Sequence, residues 1–90
     1  MLKIKTSKRA AQVLKRVPPK HGRQLIARIE ELARKTDAPD VRPVSGHPPY
    51  LRVTAGEYRI IYHIEGDTLY VEIIGKRNDD EVYRQLRRLD

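Results

Sequence analysis

The stretch Tyr50-Leu51-Arg52-Val53-Thr54-Ala55-Gly56-Glu57-Tyr58-Arg59-Ile60-Ile61-Tyr62-His63-Ile64-Glu65-Gly66-Asp67-Thr68-Leu69-Tyr70-Val71-Glu72-Ile73-Ile74-Gly75-Lys76 decides the fold. Three runs rich in Val, Ile and Tyr, from Tyr50 to Thr54, Glu57 to Ile64 and Thr68 to Lys76, are separated by Ala55-Gly56 and Gly66-Asp67, pairs that suit two-residue hairpin turns. With turns of that length the pairing is arithmetic: Thr54 faces Glu57, Val53 faces Tyr58 and Arg52 faces Arg59. In the next hairpin Glu65 faces Thr68, Ile64 faces Leu69 and His63 faces Tyr70. One face then collects Leu51, Val53, Tyr58, Ile60, Tyr62, Ile64, Leu69, Val71 and Ile73, which is the core. The other collects Tyr50, Arg52, Thr54, Glu57, Arg59, Ile61, His63, Tyr70, Glu72, Ile74 and Lys76. Arginines directly opposite each other are destabilising, so Arg52 and Arg59 on this face suggest an anion held between them. Arginines splayed into solvent or paired with Glu57 and Glu72 are the plain alternative. By strict alternation Arg77 would point into the core, so it is expected to leave the sheet there and lean over the edge of the basic face, near Tyr83.

Upstream of the sheet, Leu2, Ile4 and Thr6 alternate with Lys3 and Lys5, the period of a half-buried strand. Ser7 is placed to cap a helix over residues 8 to 17, carried by Ala10, Val13, Leu14 and Val17 and ended by Pro18-Pro19. A second helix carries Leu25, Ile26, Ile29, Leu32 and Ala33 as one apolar stripe. Residues 37 to 49, with four prolines, read as a loop and not as a domain linker. Asn78 or Asp79 can cap a last helix with Val82, Leu86 and Leu89 on one side. The expected fold is α+β, an antiparallel sheet packed on an N-terminal helical hairpin in the order β-α-α-β-β-β-α, with residues 1 to 90 forming a single domain.

Nineteen basic against twelve acidic residues give the 90-residue chain a net charge of +7. Residues 1 to 45 hold twelve basic and four acidic side chains, residues 46 to 90 seven and eight. Such an excess points to a polyanionic partner, with a solvated basic face as the bland alternative. The length leaves no room for a nucleotide-binding α/β enzyme. The absence of cysteine removes disulfides, Cys-ligated zinc and a Cys nucleophile. No stretch has the apolar length of a signal peptide or membrane span, so a cytoplasmic protein without membrane association is expected. The three histidines, His21, His47 and His63, lack metal-ligand spacing; no zinc site and no cofactor are expected. His21 and His47 read as helix-loop and loop residues.

The run from Tyr50 to Tyr62, then Gly75-Lys76-Arg77, then Glu81-Val82-Tyr83, resembles the RelE branch of the RelE/ParE toxin superfamily. The resemblance extends over the whole chain in element order and is sharpest over residues 50 to 84. It implies a toxin of a type II toxin-antitoxin module that enters the ribosome and cuts messenger RNA. It also implies a cognate antitoxin, acidic and partly disordered, able to form higher-order complexes with the toxin. Arg52, Arg59, Arg77 and Tyr83 match the family's basic positions and its terminal tyrosine. One position departs: where the family carries a further lysine, two residues before Arg52, this chain has Tyr50, which bears on the general base and on catalytic efficiency.

Metal-free cleavage needs the ribose 2'-OH to attack the adjacent phosphate, with a base for its proton, cations for the non-bridging oxygens and an acid for the leaving oxygen. Arginine, with a pKa above about 12, is no base. The expected roles are therefore Arg52 and Arg59 on the phosphate, Arg77 near the leaving oxygen, and Tyr83 as general base or as a stacking partner. Lys76, Tyr50, Tyr70 and His63 are further candidate RNA-binding residues: the two tyrosines could stack on bases, and His63 is either catalytic or an ordinary sheet-face residue. A ParE-like gyrase inhibitor on the same fold, and a non-catalytic basic RNA- or ribosome-binding module, are the competing readings.

Overall fold

The computed structural model describes every residue except Asp79, Asp90 and the side chain of Leu89. Its elements are β1 (Lys3–Thr6), α1 (Lys8–Arg16), α2 (Pro19–Arg34), β2 (Arg42–Pro43), β3 (Leu51–Ala55), β4 (Tyr58–Glu65), β5 (Thr68–Lys76) and α3 (Glu81–Leu89). The expected order is present, with one addition: within the 37–49 loop, Arg42–Pro43 pairs with β3 as a two-residue edge strand. The five strands lie in the order β1-β5-β4-β3-β2. β2 to β5 pair antiparallel, while β1 joins β5 in parallel after the helical hairpin crosses over.

The local chemistry explains the ends of the helices. Ser7 accepts the Ala10 N–H at 3.1 Å and caps α1. Pro19 occupies the first turn of α2, where its missing N–H costs nothing. Leu25, Ile29, Leu32 and Ala33 are buried as the stripe predicts, but Ile26, about 100° round the helix from Leu25, is 49% exposed. At the start of α3 the Asp80 carbonyl accepts the Arg84 N–H at 3.1 Å, so Asp80 and not Asn78 holds the capping place. The alternative cap Asp79 and the inward side chain expected of Leu89 lie outside the described residues.

Two register details correct the sequence arithmetic. The first hairpin turns on Gly56-Glu57, giving Ala55↔Tyr58, Thr54↔Arg59 and Arg52↔Ile61. Gly56 has φ +61° and Gly66, the first residue of the other turn, φ +62°. Both turns therefore place glycine at the first central position, which a left-handed start requires. The partner of each β3 residue moves by two, so faces are kept, yet Arg52 no longer opposes Arg59. In the second hairpin Glu65↔Thr68, Ile64↔Leu69 and His63↔Tyr70 hold as expected, but Glu72 is an extra residue between Tyr62↔Val71 and Ile61↔Ile73. This bulge exchanges the faces of everything after it on β5.

The consequence is a sheet with two cores. On one face Val53, Ala55, Ile60, Tyr62, Leu69, Val71 and Ile74 pack under α1 and α2. On the other Ile61 and Ile73 are sealed by Val82 and Leu86 of α3 and by Val44. All four of the Ile and α3 side chains are 0% exposed. Each such burial is worth about 1.5–3 kcal/mol before the entropy of ordering, so α3 is held by packing and not by its propensity alone.

Candidate functional site

On the α3 side of the sheet, side chains lie in rows across the strands. The first row is Thr54–Arg59–Gly75, the second Arg52–Ile61–Ile73, and beyond it His63 pairs with Tyr70. α3 delivers two stripes to this face. Val82 and Leu86, four residues apart, plug the core, while Tyr83 and Arg87, one position on and also four apart, emerge beside it. The close approach depends on Gly75: a Cβ there would lie 2.5 Å from Val82 Cγ1.

Arg59 sets its guanidinium carbon 5.4 Å from the centroid of the Tyr83 ring, a cation–π distance. Arg52 and Tyr83 line one groove of about 330 Å³ together with Arg87, Ser45, His47, Pro43 and Val44. Three of the four residues expected to carry the chemistry, Arg52, Arg59 and Tyr83, are thus brought together although they come from β3, β4 and α3. Among the described residues no carboxylate ion-pairs with Arg52, Arg59 or Arg87. That leaves these cations available to an anion. The neighbouring Arg42, which pairs with Arg52 across the edge, is instead occupied by the Pro39 and Val41 carbonyls at 2.6 and 3.0 Å.

Arg77 stands apart from the groove. It lies just past the last residue of β5, where the strand ends and the chain leaves the sheet as expected. Its N–H donates to the Glu57 carbonyl at 3.0 Å and its Nη1 lies 3.5 Å from the Gly56 carbonyl, at the tip of the first hairpin. Lys76 is the clear correction. It pairs with Tyr58 on the helical-hairpin face and lines a separate cleft with Glu57, Asn78, Asp80 and Arg84. The sheet divides it from Arg52, because the extra residue at Glu72 inverts the alternation that placed it among the cations.

His63 stacks on Tyr70, with centroids 4.9 Å apart and rings inclined by 10°, and meets the Tyr50 ring edge-on at 5.4 Å. These three expected residues form a group of their own, one row beyond Arg52. His21 lies inside α2 and not in a loop, 3.5 Å from the Glu57 carboxylate and edge-on to Tyr58. Tyr62 is 1% exposed, and burial pushes its hydroxyl pKa up, an effect the Arg28 charge opposes. It lies in the core beneath α1 and α2, on the other face of the sheet from the groove, and is no candidate base. Among the described residues no set of three His, Asp or Glu side chains gathers as a metal site would. No helix there is long and apolar enough to cross a membrane.

Sequence reasoning missed Arg87, Ser45 and His47. The spacing Tyr83 to Arg87 was a usable signal, since residues four apart share a helix face. The loop residues carried none. His47 reaches the groove because the loop folds back on itself, with its N–H on the Val44 carbonyl at 3.1 Å and its carbonyl accepting the Tyr50 N–H at 2.9 Å.

In structure the chain is similar to a doubly arginine-substituted variant of the E. coli toxin RelE in the free state, with TM-score 0.81, 17% identity and coverage of 98% of this chain and 96% of that one. It is similar also to RelE in the archaeal RelE–RelB complex of Pyrococcus horikoshii OT3, with TM-score 0.73, 20% identity and coverage of 84% and 94%. A third likeness is to the RelB–RelE antitoxin-toxin complex of Methanococcus jannaschii, with TM-score 0.68, 24% identity and coverage of 89% and 95%. At these identities the likeness is one of fold. Among curated proteins, sequence comparison finds no match. Residues 4–81 match the family described as the ParE toxin of the type II toxin-antitoxin system parDE. With that match spanning most of the sequence, and the RelE fold beneath it, the chain belongs to the ParE toxin family of type II toxin-antitoxin systems, within the RelE/ParE superfamily.

Proposed function

We propose that this toxin is a ribosome-dependent endoribonuclease that cleaves messenger RNA and so stops translation in the cytoplasm. The observation that carries the reading is the convergence of Arg52, Tyr83 and Arg87 on one groove, with Arg59 set over the Tyr83 ring beside it. Phosphoryl transfer to the 2'-oxygen asks for stabilisation of added negative charge, for removal of the 2'-OH proton and for a proton on the leaving 5'-oxygen; arginines serve the first and a tyrosine the second. Arg52 and Arg59 hold the non-bridging oxygens of the scissile phosphate. Tyr83 takes the 2'-OH proton, its ring kept in place by Arg59. Arg77, at the tip of the first hairpin, stabilises the charge on the leaving 5'-oxygen, which takes a proton from solvent as its bond to phosphorus breaks, and Arg87 supplements the charge in the groove.

The implied partner is an acidic antitoxin, a role for which relatives solved with RelB offer the pattern. The other partners are the ribosome and its messenger RNA. A second reading, inhibition of DNA gyrase, has one observation in its favour, that the matching family is described by the ParE toxin. Primer extension on programmed ribosomes and a gyrase supercoiling assay distinguish the two. The cleavage reading expects codon-positioned strand breaks that the Arg59→Ala, Arg77→Ala double variant loses while remaining folded. A double variant as toxic as the original, or inhibition of supercoiling without strand breaks, refutes it. Salt-sensitive RNA binding without cleavage would identify a binding module instead.

A further inference from the structure

One row on the α3 side of the sheet is left unused by the chemistry above. Lys5 of β1 pairs with Tyr70 of β5 and Tyr70 pairs with His63 of β4. The Tyr50 ring, just before β3, closes the row edge-on against His63 at 5.4 Å. Paired residues share a face, so three aromatic rings and a lysine cross the sheet side by side. Lys5 is exposed, and Tyr50 and Tyr70 are half-buried. Arg52 stands one row away, two strand residues or about 6.7 Å along β3.

The neighbouring row shows what burial alone selects: Ile61 and Ile73 are 0% exposed beneath Val82 and Leu86. The aromatic row differs from it in kind. Its rings carry polar edges, and His63 Nδ1 is buried without a hydrogen-bond partner. Glu65 lies 3.8 Å from His63 Nε2. Every nucleobase has a π-face, so adjacent rings on a sheet accept unpaired bases with little sequence preference, and a flanking cation holds the backbone between them. Sheet modules that grip single-stranded RNA place rings on adjacent strands in this way.

We infer that Tyr50, His63, Tyr70 and Lys5 form a stacking subsite for an unpaired base next to the phosphate held by Arg52 and Arg59. The inference rests on the reading of this toxin as one that acts on RNA, and it makes the row a substrate-positioning element. Tyr70 offers the ring beside Lys5, where a base can lie with its phosphate on the ammonium. The position Tyr50, at which the family pattern carries a lysine, then serves RNA contact by stacking in place of charge.

The test uses the isolated toxin and a single-stranded hexaribonucleotide containing 2-aminopurine, whose fluorescence is quenched on stacking. The expected result at low salt is saturable quenching that survives Tyr70→Phe and falls in affinity by about 5- to 150-fold in Tyr70→Leu, the loss of one stacked base. Lys5→Gln should weaken binding and flatten its salt dependence while keeping the quenching amplitude. Photocrosslinking of a 4-thiouridine hexamer to the unsubstituted chain, mapped to Tyr50 or Tyr70, reads the same contact should Tyr70→Leu fail to fold. Binding without quenching, binding by Tyr70→Leu equal to the original, crosslinks confined to the helices, or no binding at all would overturn the inference. Quenching that depends on Tyr70, in a protein that cleaves nothing on programmed ribosomes, would sustain the subsite and sink the nuclease reading instead.

Discussion

Gly75 of β5 and Val82 of α3 touch so closely that a methyl group on the strand would stand 2.5 Å from the valine Cγ1. The contact is backbone against side chain, so the whole helix rides on a missing Cβ. Gly75→Ala must push Val82 outward and tilt α3, which carries Tyr83 and Arg87. We expect a loss of about 1–3 kcal/mol, the cost of overpacking, read by chemical denaturation. A larger proportional loss of RNA cleavage should accompany it, since Tyr83 moves away from Arg59.

Two single-residue deletions separate the bulge from the faces it sets. Removing Glu72 leaves Tyr62↔Val71 and Ile61↔Ile73 as consecutive pairs, so every later side chain keeps its face. This variant should fold, destabilised by about 1–2 kcal/mol through the hydrogen bond that Ser7 Oγ donates to the Glu72 carbonyl. Removing Ile73 instead drops the Glu72 carboxylate opposite Ile61, beneath Val82 and Leu86. Burying an unpaired carboxylate costs several kcal/mol, and thermal melting should show α3 detached or the chain unfolded. Equal stability of the two variants would contradict the register.

Ser7 joins the start of α1 to the bulge. Its hydroxyl accepts the Ala10 N–H at 3.1 Å and donates to the Glu72 carbonyl at 2.6 Å. Ser7→Ala should therefore cost about 1–2 kcal/mol, in the upper part of the range for an N-cap. Ser7→Asp should restore the cap while leaving the Glu72 carbonyl without its donor, and so recover only part of that loss.

Tyr83 can act through its hydroxyl or through its ring, and substitution separates the two. Tyr83→Phe keeps the surface over which Arg59 sits, 5.4 Å from the centroid, and removes only the proton acceptor. If the hydroxyl is the general base, single-turnover cleavage on ribosomes falls by about 10²–10⁴-fold in Tyr83→Phe with RNA binding retained. Cleavage near the original rate in Tyr83→Phe and poor in Tyr83→Ala would assign the residue to positioning.

Acid should loosen the first turn of α3. Glu81 accepts hydrogen bonds from Arg84 Nε at 3.0 Å and from Gln85 at 3.3 Å, and these, with the charges of Arg84 and Arg88, hold its carboxyl below the usual glutamate range. A pKa lowered by folding stabilises the native state fully above the ordinary value of about 4.3 and loses that contribution as pH falls through the lower folded value. The melting temperatures of the original chain and of Glu81→Gln should therefore differ at neutral pH and converge below about pH 4. A difference that persists in acid would assign the effect to packing.

Much of this molecule is legible in its sequence because much of it is local. The Ser7 cap, the Pro18-Pro19 break, the alternation of the strands and the Gly66-Asp67 turn each depend on a few adjacent residues. The first hairpin, expected on Ala55-Gly56, turns instead on Gly56-Glu57; the signal was present, since a glycine that opens a turn at φ near +60° belongs at the first central position, and Gly56-Glu57 repeats the pattern of Gly66-Asp67. The group Arg52, Arg59 and Tyr83 could be selected from residue type and from resemblance. Lys76 could not be placed correctly, because nothing in Val71-Glu72-Ile73-Ile74 marks which residue falls out of the ladder: both isoleucines suit either core. Ile26 failed for a related reason, lying at the margin of a stripe whose width the facing strands decide.

By itself, then, the sequence determined every element but the edge strand β2, their order, the basic character of the chain and the residue types able to hold a phosphate. Tertiary structure decided which of those residues meet. The Glu72 bulge turned Lys76 away and brought Ile73 under α3, the Gly75–Val82 contact set Tyr83 beside Arg59, and the fold of the 43–47 loop added His47 and Ser45 to the groove. The physical reason is the range of the forces involved. Caps, turns and alternation are settled within a turn of helix or a pair of residues, whereas a bulge or a helix docking angle is settled by how two cores on opposite faces of one sheet fill at the same time.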